Sequence, residues 1–218
     1  MSAKNSEAVF YKQKNLSGES YSYQEREVAY TLPSGLNDNF LSVDVGELVK
    51  VYAWKHYNDT QSGQIHRVWE STQNDISSIQ GLSKFVVSPK DSELLAIKVI
   101  NNSGNNKPYY AFIRTYTIAN PVRIHSGHDY EIVGLIKKDG QKYVADIVIF
   151  DEATNVPVIQ GAAYFSYDST TNSLHATTYQ EIFPKDLELV KSTDYRFDLV
   201  IKSIPHETEG KVMSQEKA

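Results

Sequence analysis

Hydrophobic and polar residues alternate with a period of two along much of the chain, most plainly near its C-terminal end. Every second residue from Tyr195 to Ile201 is apolar, and Arg196, Asp198 and Lys202 fall on the opposite face. The segment 143–150 is apolar almost throughout, which is typical of a buried strand. No apolar period of 3.6 residues persists for three turns. The pattern predicts an all-β protein, and the 15 tyrosines favour strands further.

Turn residues divide the second part of the chain into short strands. Asp139-Gly140, between the runs that end at Lys137 and begin at Lys142, predicts a hairpin. The turn 168–172 predicts another hairpin. After Pro89 there is room for about seven strands, which suits an immunoglobulin-like β-sandwich. The chain has no cysteine, so the usual bridge between the sheets is absent.

The first 88 residues contain two similar halves. Each half has an aromatic strand, a bend at glycine and a turn rich in Asn and Asp that ends in Ser. The strands begin near Val9 and Val51, and the turns are 37–42 and 73–78. We therefore expect one domain at 1–88 and a second at 89–218, the latter ending in a short polar tail.

Composition and charge exclude several classes of protein. The hydrophobic fraction of 40% is that of a folded chain, and no apolar run reaches the roughly 18 residues of a membrane span. The absence of cysteine excludes thiolate catalysis and zinc sites built on sulfur. A formal net charge of −5 argues against nucleic acid as a partner. The first residues show no secretory signal, so none is expected.

The two Asn/Asp-rich turns carry the candidate chemistry. Carboxylate, amide, hydroxyl and main-chain oxygens on neighbouring loops are the hard ligands that Ca²⁺ prefers. In the alternative interpretation, the same residues only cap turns by bonding local amides. The sequence leaves both interpretations open, although two such turns at matched positions favour calcium more than one would.

These residues resemble a known family. Tyr11, Gly18 and the turn Asn37-Asp38-X-X-Leu41-Ser42 resemble the βγ-crystallin Greek-key motif, whose calcium sequence is Asn/Asp, Asn/Asp, two variable residues, Ser/Thr, Ser. The segment 74–85 is similar to the social-amoeba calcium-dependent cell-adhesion molecules. The similarity continues at 158–167, 168–173 and 183–185.

The resemblance implies a fold and a function. It implies a βγ-crystallin-like double Greek-key domain followed by an immunoglobulin-like domain, in a protein that mediates calcium-dependent, homophilic cell–cell adhesion. The first domain would serve self-recognition as a weak dimer, and the second would attach to the membrane surface. The protein would be peripheral at the cell surface, with a cytoplasmic pool. The alternative is a calcium-stabilised structural or small-ligand-binding protein without an adhesive role.

The resemblance also implies ligands, with two departures from the motif. Leu41 replaces a hydroxyl residue, and Gln73 replaces Asn or Asp. The better site would use Asn37, Asp38 and Asn39 of the first turn with the Ser77 hydroxyl of the second. Glu19, at the Gly18 bend, is a further candidate, and a weaker site would use Asn74 and Asp75. With few carboxylates per site, the dissociation constant should be roughly 10⁻⁴–10⁻³ M.

Other candidate features are set aside. The segment 125–129 offers two histidines and an aspartate, but no third ligand at diagnostic spacing, so we interpret it as a solvated loop. No nucleophile–base pair can be proposed from spacing, so we expect no enzyme. The nearest approach to a basic patch for anionic lipid is Lys137, Lys138 and Lys142, interpreted as a solvated hairpin tip. We expect Trp54 to be buried and leave Trp69 open.

Overall fold

The structure is a computed structural model that describes residues 3–26, 29–55, 66–115, 121–127, 130–178 and 183–204. It is almost entirely β-structure, which confirms the predicted fold class. The strands before residue 90 are β1 (Glu7–Gln13), β2 (Ser17–Gln24), β3 (Tyr30–Thr31), β4 (Ser42–Val45), β5 (Val49–Trp54), β6 (His66–Trp69) and β7 (Lys84–Pro89). A short 3-10 helix (Ser77–Ile79) precedes β7.

The strands β1–β7 form two facing sheets, here called the N-terminal sheet pair. One sheet has the order β2-β1-β4 and the other the order β3-β7-β5-β6. The repeats exchange segments, because β3 of the first repeat pairs with β7 of the second, and Gln73 of the second repeat bridges to Val43 on β4. The first turn is therefore a crossover between the two sheets, whereas the second turn leaves the four-stranded sheet at β6, bridges β4 of the other sheet at Gln73 and returns at β7.

An aromatic cluster fills the space between these sheets. Phe10 is fully buried, and its ring centroid lies 4.6 Å from that of Phe85, 5.3 Å from Phe40 and 6.4 Å from Trp69. Trp69, which the sequence left open, is 8% exposed and belongs to this core. Burial of several large rings at one point stabilises the crossing of the two repeats.

The strands after residue 90 form a second pair of sheets, here called the C-terminal sheet pair. They are β8 (Ser92–Asn101), β9 (Tyr109–Thr115), β10 (Val122–His125), β11 (Glu131–Lys137), β12 (Tyr143–Asp151), β13 (Val156–Asp168), β14 (Ser173–Thr178), β15 (Leu187–Lys191) and β16 (Arg196–Ile201). A five-stranded sheet, β10-β9-β12-β13-β14, faces a four-stranded sheet, β11-β8-β16-β15. The described residues thus supply more strands than the roughly seven expected of the sandwich. The division predicted after Ser88 falls one residue before the end of β7 and stays a prediction.

One hairpin prediction is confirmed and one is wrong. The turn 168–172 joins β13 to β14, which pair antiparallel. A turn also exists at Asp139-Gly140, with Gly140 at a φ of 72°, but it connects strands of different sheets, because β11 pairs with β8 and β12 pairs with β9 and β13. The reason is burial: β11 is covered on both faces, and the four-stranded sheet is the one that contacts the N-terminal sheet pair.

The two sheet pairs meet in a buried contact. Trp54 is 1% exposed, as expected, and its indole nitrogen donates a hydrogen bond of 2.7 Å to the Tyr130 hydroxyl. The Glu93 carboxylate lies 2.6 Å from the Lys50 ammonium and 2.7 Å from that of Lys138. Lys138 is therefore part of this contact, not the solvated hairpin tip that the sequence indicated. Among the described residues, no helix has the length and hydrophobicity to cross a membrane.

Candidate calcium site

The first turn is held against the chain that follows the second turn. Its backbone closes through hydrogen bonds of 2.9 Å from the Leu36 and Asn37 amides to the Pro33 carbonyl. Asp38 has a φ of 61°, a left-handed conformation that aspartate tolerates better than most residues. Its amide donates to the Leu82 carbonyl at 3.1 Å. The crossover thereby brings the predicted ligand Asp38 next to the end of the second turn.

The Asp38 carboxylate packs on the backbone of Gly81. An ideal Cβ at Gly81 would lie 2.3 Å from the Asp38 Oδ1 atom, and the φ of Gly81 is +113°. Both facts require glycine, since a side chain would meet the carboxylate and strain the backbone. Gly81 therefore sets the position of Asp38, a role that the sequence analysis missed although Gln80-Gly81 is a visible turn signal.

Asn37 contributes an oxygen without a partner. Its side-chain nitrogen donates to the Asp38 Oδ2 atom at 2.9 Å. Its Oδ1 atom is buried and has no hydrogen-bond partner. Among the described residues, every other buried side-chain nitrogen or oxygen atom has a partner. An unsatisfied buried acceptor is costly unless an ion or water completes it. Asn39 is oriented by a 3.1 Å bond from its amide nitrogen to the Gly35 carbonyl.

The second turn lies against the loop between β1 and β2. The Asn74 carbonyl accepts a 2.8 Å bond from the Asn15 amide. The Asp75 Oδ1 atom accepts the Ser77 amide at 2.9 Å, and its Oδ2 atom lies 2.6 Å from the Lys14 ammonium. Lys14 and the bonds from Ser77 hold the pKa of Asp75 well below its usual range. Ser77 is thus bound within its own turn, and a lysine already neutralises Asp75.

Glu19 is engaged on the exposed face of β2. Its carboxylate lies 2.6 Å from the Lys12 ammonium and accepts a 2.5 Å bond from the Tyr21 hydroxyl. The bond with Lys12, followed by that with Tyr21, lowers the pKa of Glu19. These bonds run along β1 and β2 and do not bring Glu19 to either turn.

Ser42 and Leu41 join the turns to the rest of the sheet. Ser42 is fully buried, and its hydroxyl donates to the Gln13 carbonyl at 2.6 Å and accepts from the Leu16 amide at 3.0 Å. The Leu41 carbonyl accepts the Ile76 amide at 2.8 Å. The last serine of the first motif therefore fixes the β1–β2 loop.

Calcium fits the first turn better than the second. Among the described residues, salt bridges reach Glu19 and Asp75 but not Asp38. The first turn combines a carboxylate without a lysine, an orphaned amide oxygen and main-chain carbonyls, which are hard oxygen donors. Asn37 and Asp38 are the residues that could hold the ion, with Asn39 beside them in the turn.

The histidine segment offers no comparable site. The His125 Nδ1 atom lies 3.3 Å from a Glu152 carboxylate oxygen, while His128 and Asp129 lie outside the described residues. Within the described ranges, no group of three or more His, Asp or Glu side chains is placed to hold a metal ion.

Comparisons with known proteins match both parts of the chain. Residues 4–89 match the beta/gamma crystallin family, and residues 95–202 match a family described as membrane binding. Calcium-dependent cell adhesion molecule 1 of Dictyostelium discoideum is 29% identical over 211 residues, which cover 91% of this chain and 98% of the relative.

Solved structures give a similar picture. Abundant Perithecial Protein of Neurospora crassa has a TM-score of 0.63 and 27% identity over 92% of this chain and 97% of its own. A calcium-bound structure of the βγ-crystallin domain of that protein is 40% identical over 42% of this chain and 97% of its own, with a TM-score of 0.38. These matches confirm the resemblance to the social-amoeba calcium-dependent cell-adhesion molecules over nearly the whole chain, with a part that matches the beta/gamma crystallin family followed by a part that matches a family described as membrane binding.

Proposed function

We propose that this protein mediates calcium-dependent cell–cell adhesion by homophilic self-association. Calcium orders the turns of the N-terminal sheet pair, which presents the surface that a second copy recognises. The C-terminal sheet pair holds the protein at the outer surface of the membrane as a peripheral protein. The amoebal relative is named for calcium-dependent adhesion, and this supports the same role here.

The observation that carries this proposal is the first turn. Its unpaired Asn37 Oδ1 atom lies in the turn with an aspartate that no described lysine neutralises. A divalent cation would satisfy the amide and the Asp38 carboxylate together and would fix the crossover between the sheets. We assign Asn37, Asp38 and Asn39, with the Ser77 hydroxyl of the second turn, to the stronger site.

The second turn supplies a weaker site. Calcium there would use Asn74 and Asp75, and would have to displace the Lys14 ammonium from Asp75. Glu19, the further candidate ligand beside the stronger site, would have to leave Lys12. With one carboxylate free and the others neutralised, dissociation constants of roughly 10⁻⁴–10⁻³ M are expected, so that extracellular calcium switches the contact.

Ordering the turns matters for association because binding costs conformational freedom. A turn that calcium has already fixed loses less entropy when a partner docks on it. The buried contact through Trp54, Tyr130, Lys50 and Glu93 keeps the two sheet pairs in a fixed relation. The recognition surface is therefore presented at a defined orientation to the attached part.

Bead clustering tests the proposal. Beads coated with the full-length chain should cluster in millimolar calcium and disperse on addition of chelator. Asp38→Ala should abolish clustering, whereas Glu47→Ala, which removes an exposed carboxylate from another turn of the same sheet pair, should leave it unchanged. Clustering that persists after addition of chelator, or clustering of Asp38→Ala at the wild-type level, would overturn the calcium-dependent role. No clustering of the wild type would leave the structural alternative.

A second candidate, small-ligand binding, is favoured by a cleft between the sheet pairs. The cleft has a volume of about 490 Å³, and its lining includes Tyr52, Tyr167, Tyr195, Glu93 and Asp194. Clefts of this size with aromatic walls and a few polar groups are typical of ligand sites. If the protein acts only in adhesion, Tyr195→Ala should leave bead clustering unchanged. A shift of the Tyr195 resonances in an NMR screen of neutral oligosaccharides would support ligand binding in the cleft. Neither function requires catalysis.

A further inference from the structure

The two outer faces of the C-terminal sheet pair differ in what covers them. The outer face of the four-stranded sheet contacts the N-terminal sheet pair, where Leu94, Ile132 and Leu135 pack with Tyr52 and Trp54. The five-stranded sheet lies on the other side of the sandwich, so its outer face points away from that contact. The surface of this face therefore has to be explained separately.

The strand register places an apolar patch in the centre of this outer face. Phe112 on β9 is directly opposite Val148 on β12 and Arg123 on β10. In the next row, Tyr110 is opposite Phe150. The residues between these positions, such as Ile147 and Ile149, point into the core and are fully buried.

Ring contacts hold the patch in a defined shape. The Tyr110 and Phe150 rings are stacked, with centroids 4.9 Å apart and an interplanar angle of 6°. The Arg123 guanidinium lies 3.6 Å from the centroid of Tyr110, which is only 5% exposed and supports the face from beneath. Phe112 meets the edge of Phe150 at 6.5 Å and is still 36% exposed. Phe112 is thus a large apolar side chain supported from below and open to its surroundings.

Charged residues of both signs surround the patch. Arg114 lies two residues after Phe112 on β9. Arg123 lies directly across from Phe112 on β10. Asp146 is opposite Arg114, and Glu152 pairs with His125 at 3.3 Å. Arg123 itself is opposite an apolar residue, Phe112, and its guanidinium is stacked on an aromatic ring.

We propose that this face, here called the aromatic–arginine face and defined by Tyr110, Phe112, Arg123, Val148 and Phe150, is the surface that contacts the phospholipid bilayer. The inference rests on the proposed attachment of the C-terminal sheet pair to the membrane and names the surface that makes it. Exposed apolar side chains such as that of Phe112 enter the boundary between headgroups and acyl chains, and arginine beside them binds headgroup phosphate.

The position of the face fits that occupant. An apolar, exposed ring beside the arginine Arg123 complements a surface with phosphate outside and hydrocarbon beneath. Contact on this face leaves the N-terminal sheet pair, which lies on the opposite side of the sandwich, directed away from the bilayer. The calcium-binding turns would then be free to meet a second copy on another cell.

Vesicle flotation of the full-length chain tests the face. The probes are phosphatidylcholine vesicles with and without about 30% phosphatidylserine. We expect wild-type binding to be stronger with phosphatidylserine. Phe112→Ser should reduce the bound fraction by about fivefold or more, since most of the apolar area that can enter the interface is lost. Arg123→Gln should remove the preference for phosphatidylserine.

A matched control uses the other sheet. Val190, on β15, is 42% exposed, so Val190→Ser removes a comparable exposed apolar group away from the face and should leave binding unchanged. Equal loss with Val190→Ser and Phe112→Ser, or unchanged binding with Phe112→Ser, would overturn the assignment while leaving membrane attachment intact. Absence of wild-type binding to both vesicles would overturn the lipid as the occupant, and bead clustering would still report on adhesion. Loss of clustering of Phe112→Ser with normal vesicle binding would identify a second copy as the occupant.

Discussion

The turns 37–42 and 73–78 occupy equivalent places in two repeats, yet their carboxylates are in different electrostatic states. Asp38 rests on the backbone of Gly81 and is bonded by the Asn37 amide. Asp75 is bonded by the Ser77 amide and paired with Lys14. The same motif therefore gives one turn prepared for a cation and another turn that already holds the cation of a side chain.

The comparison teaches that the motif alone does not determine the surroundings of its carboxylate. Those surroundings depend on residues that the exchange of segments brings to each turn, namely Gly81 for the first and Lys14 for the second. These neighbours lie far along the chain from the turn that they modify.

Gly81→Ala should have the largest effect. The added Cβ would lie 2.3 Å from the Asp38 Oδ1 atom, and alanine would have to adopt the φ of +113° at this position, so the first turn must shift. We expect the free energy of unfolding to fall by about 2–5 kcal/mol and calcium affinity at the first turn to fall about tenfold or more. Chemical denaturation measures the change in stability, and calorimetric titration measures the change in calcium affinity. Gly104→Ala is the control, because Gly104 has a similar positive φ of +79° but open space around it; if both substitutions act alike on calcium, the role given to Gly81 is wrong.

Ser42→Ala should have the next largest effect, on stability and not on calcium. It leaves the Leu16 amide and the Gln13 carbonyl without the buried hydroxyl that joins them. The free energy of unfolding should fall by about 1–3 kcal/mol. Ser78→Ala, at the equivalent and exposed position of the second motif, should change it by less than about 0.5 kcal/mol. Ser77→Ala should weaken calcium binding more than Ser42→Ala does, and the reverse order would refute the ligand assignment.

Lys14→Met should make the second turn more similar to the first, because it removes the cation that neutralises Asp75. It removes the ammonium 2.6 Å from Asp75, and the affinity of the second turn for calcium should rise about two- to fivefold, the modest change expected of an exposed ion pair. Lys12→Met, which breaks the equally short pair with Glu19, is the matched control and should have no effect at this turn. Identical titrations of the two variants would show that Lys14 does not compete with calcium.

The smallest expected effect is the lowered pKa of Asp75. Because the pKa of Asp75 is lowered by Lys14 and Ser77, its stabilising contribution is present above the usual aspartate pKa and is lost only as the pH falls through the depressed value. Carboxyl NMR should therefore show Asp75 still ionised at about pH 3, below the usual value near 3.9. A midpoint near 4 would mean that the Lys14 pair does not form in solution.

Local sequence signals predicted those parts of the fold that depend on neighbouring residues. The hairpin at 168–172 and the burial of Trp54 follow from turn chemistry and apolar alternation. Asp139-Gly140 shows the limit, because a tight turn specifies a chain reversal but not which strands then pair.

The candidate site shows the same limit. The oxygen-rich turns are visible in the sequence, whereas the pair of Lys14 with Asp75 spans 61 residues and the contact of Asp38 with Gly81 depends on the exchange of β3. The engagement of Glu19 by Lys12 is also a matter of strand register. Periodicity carries no information about contacts of this kind.

Calorimetric titration of the full-length chain with calcium, beside Asp38→Ala and Asp75→Ala, tests the central claim most directly. The two turns predict that Asp38→Ala eliminates the tighter binding event and that Asp75→Ala leaves it in place. Loss of the tighter event in Asp75→Ala, or its survival in Asp38→Ala, would contradict the assignment of calcium to the first turn.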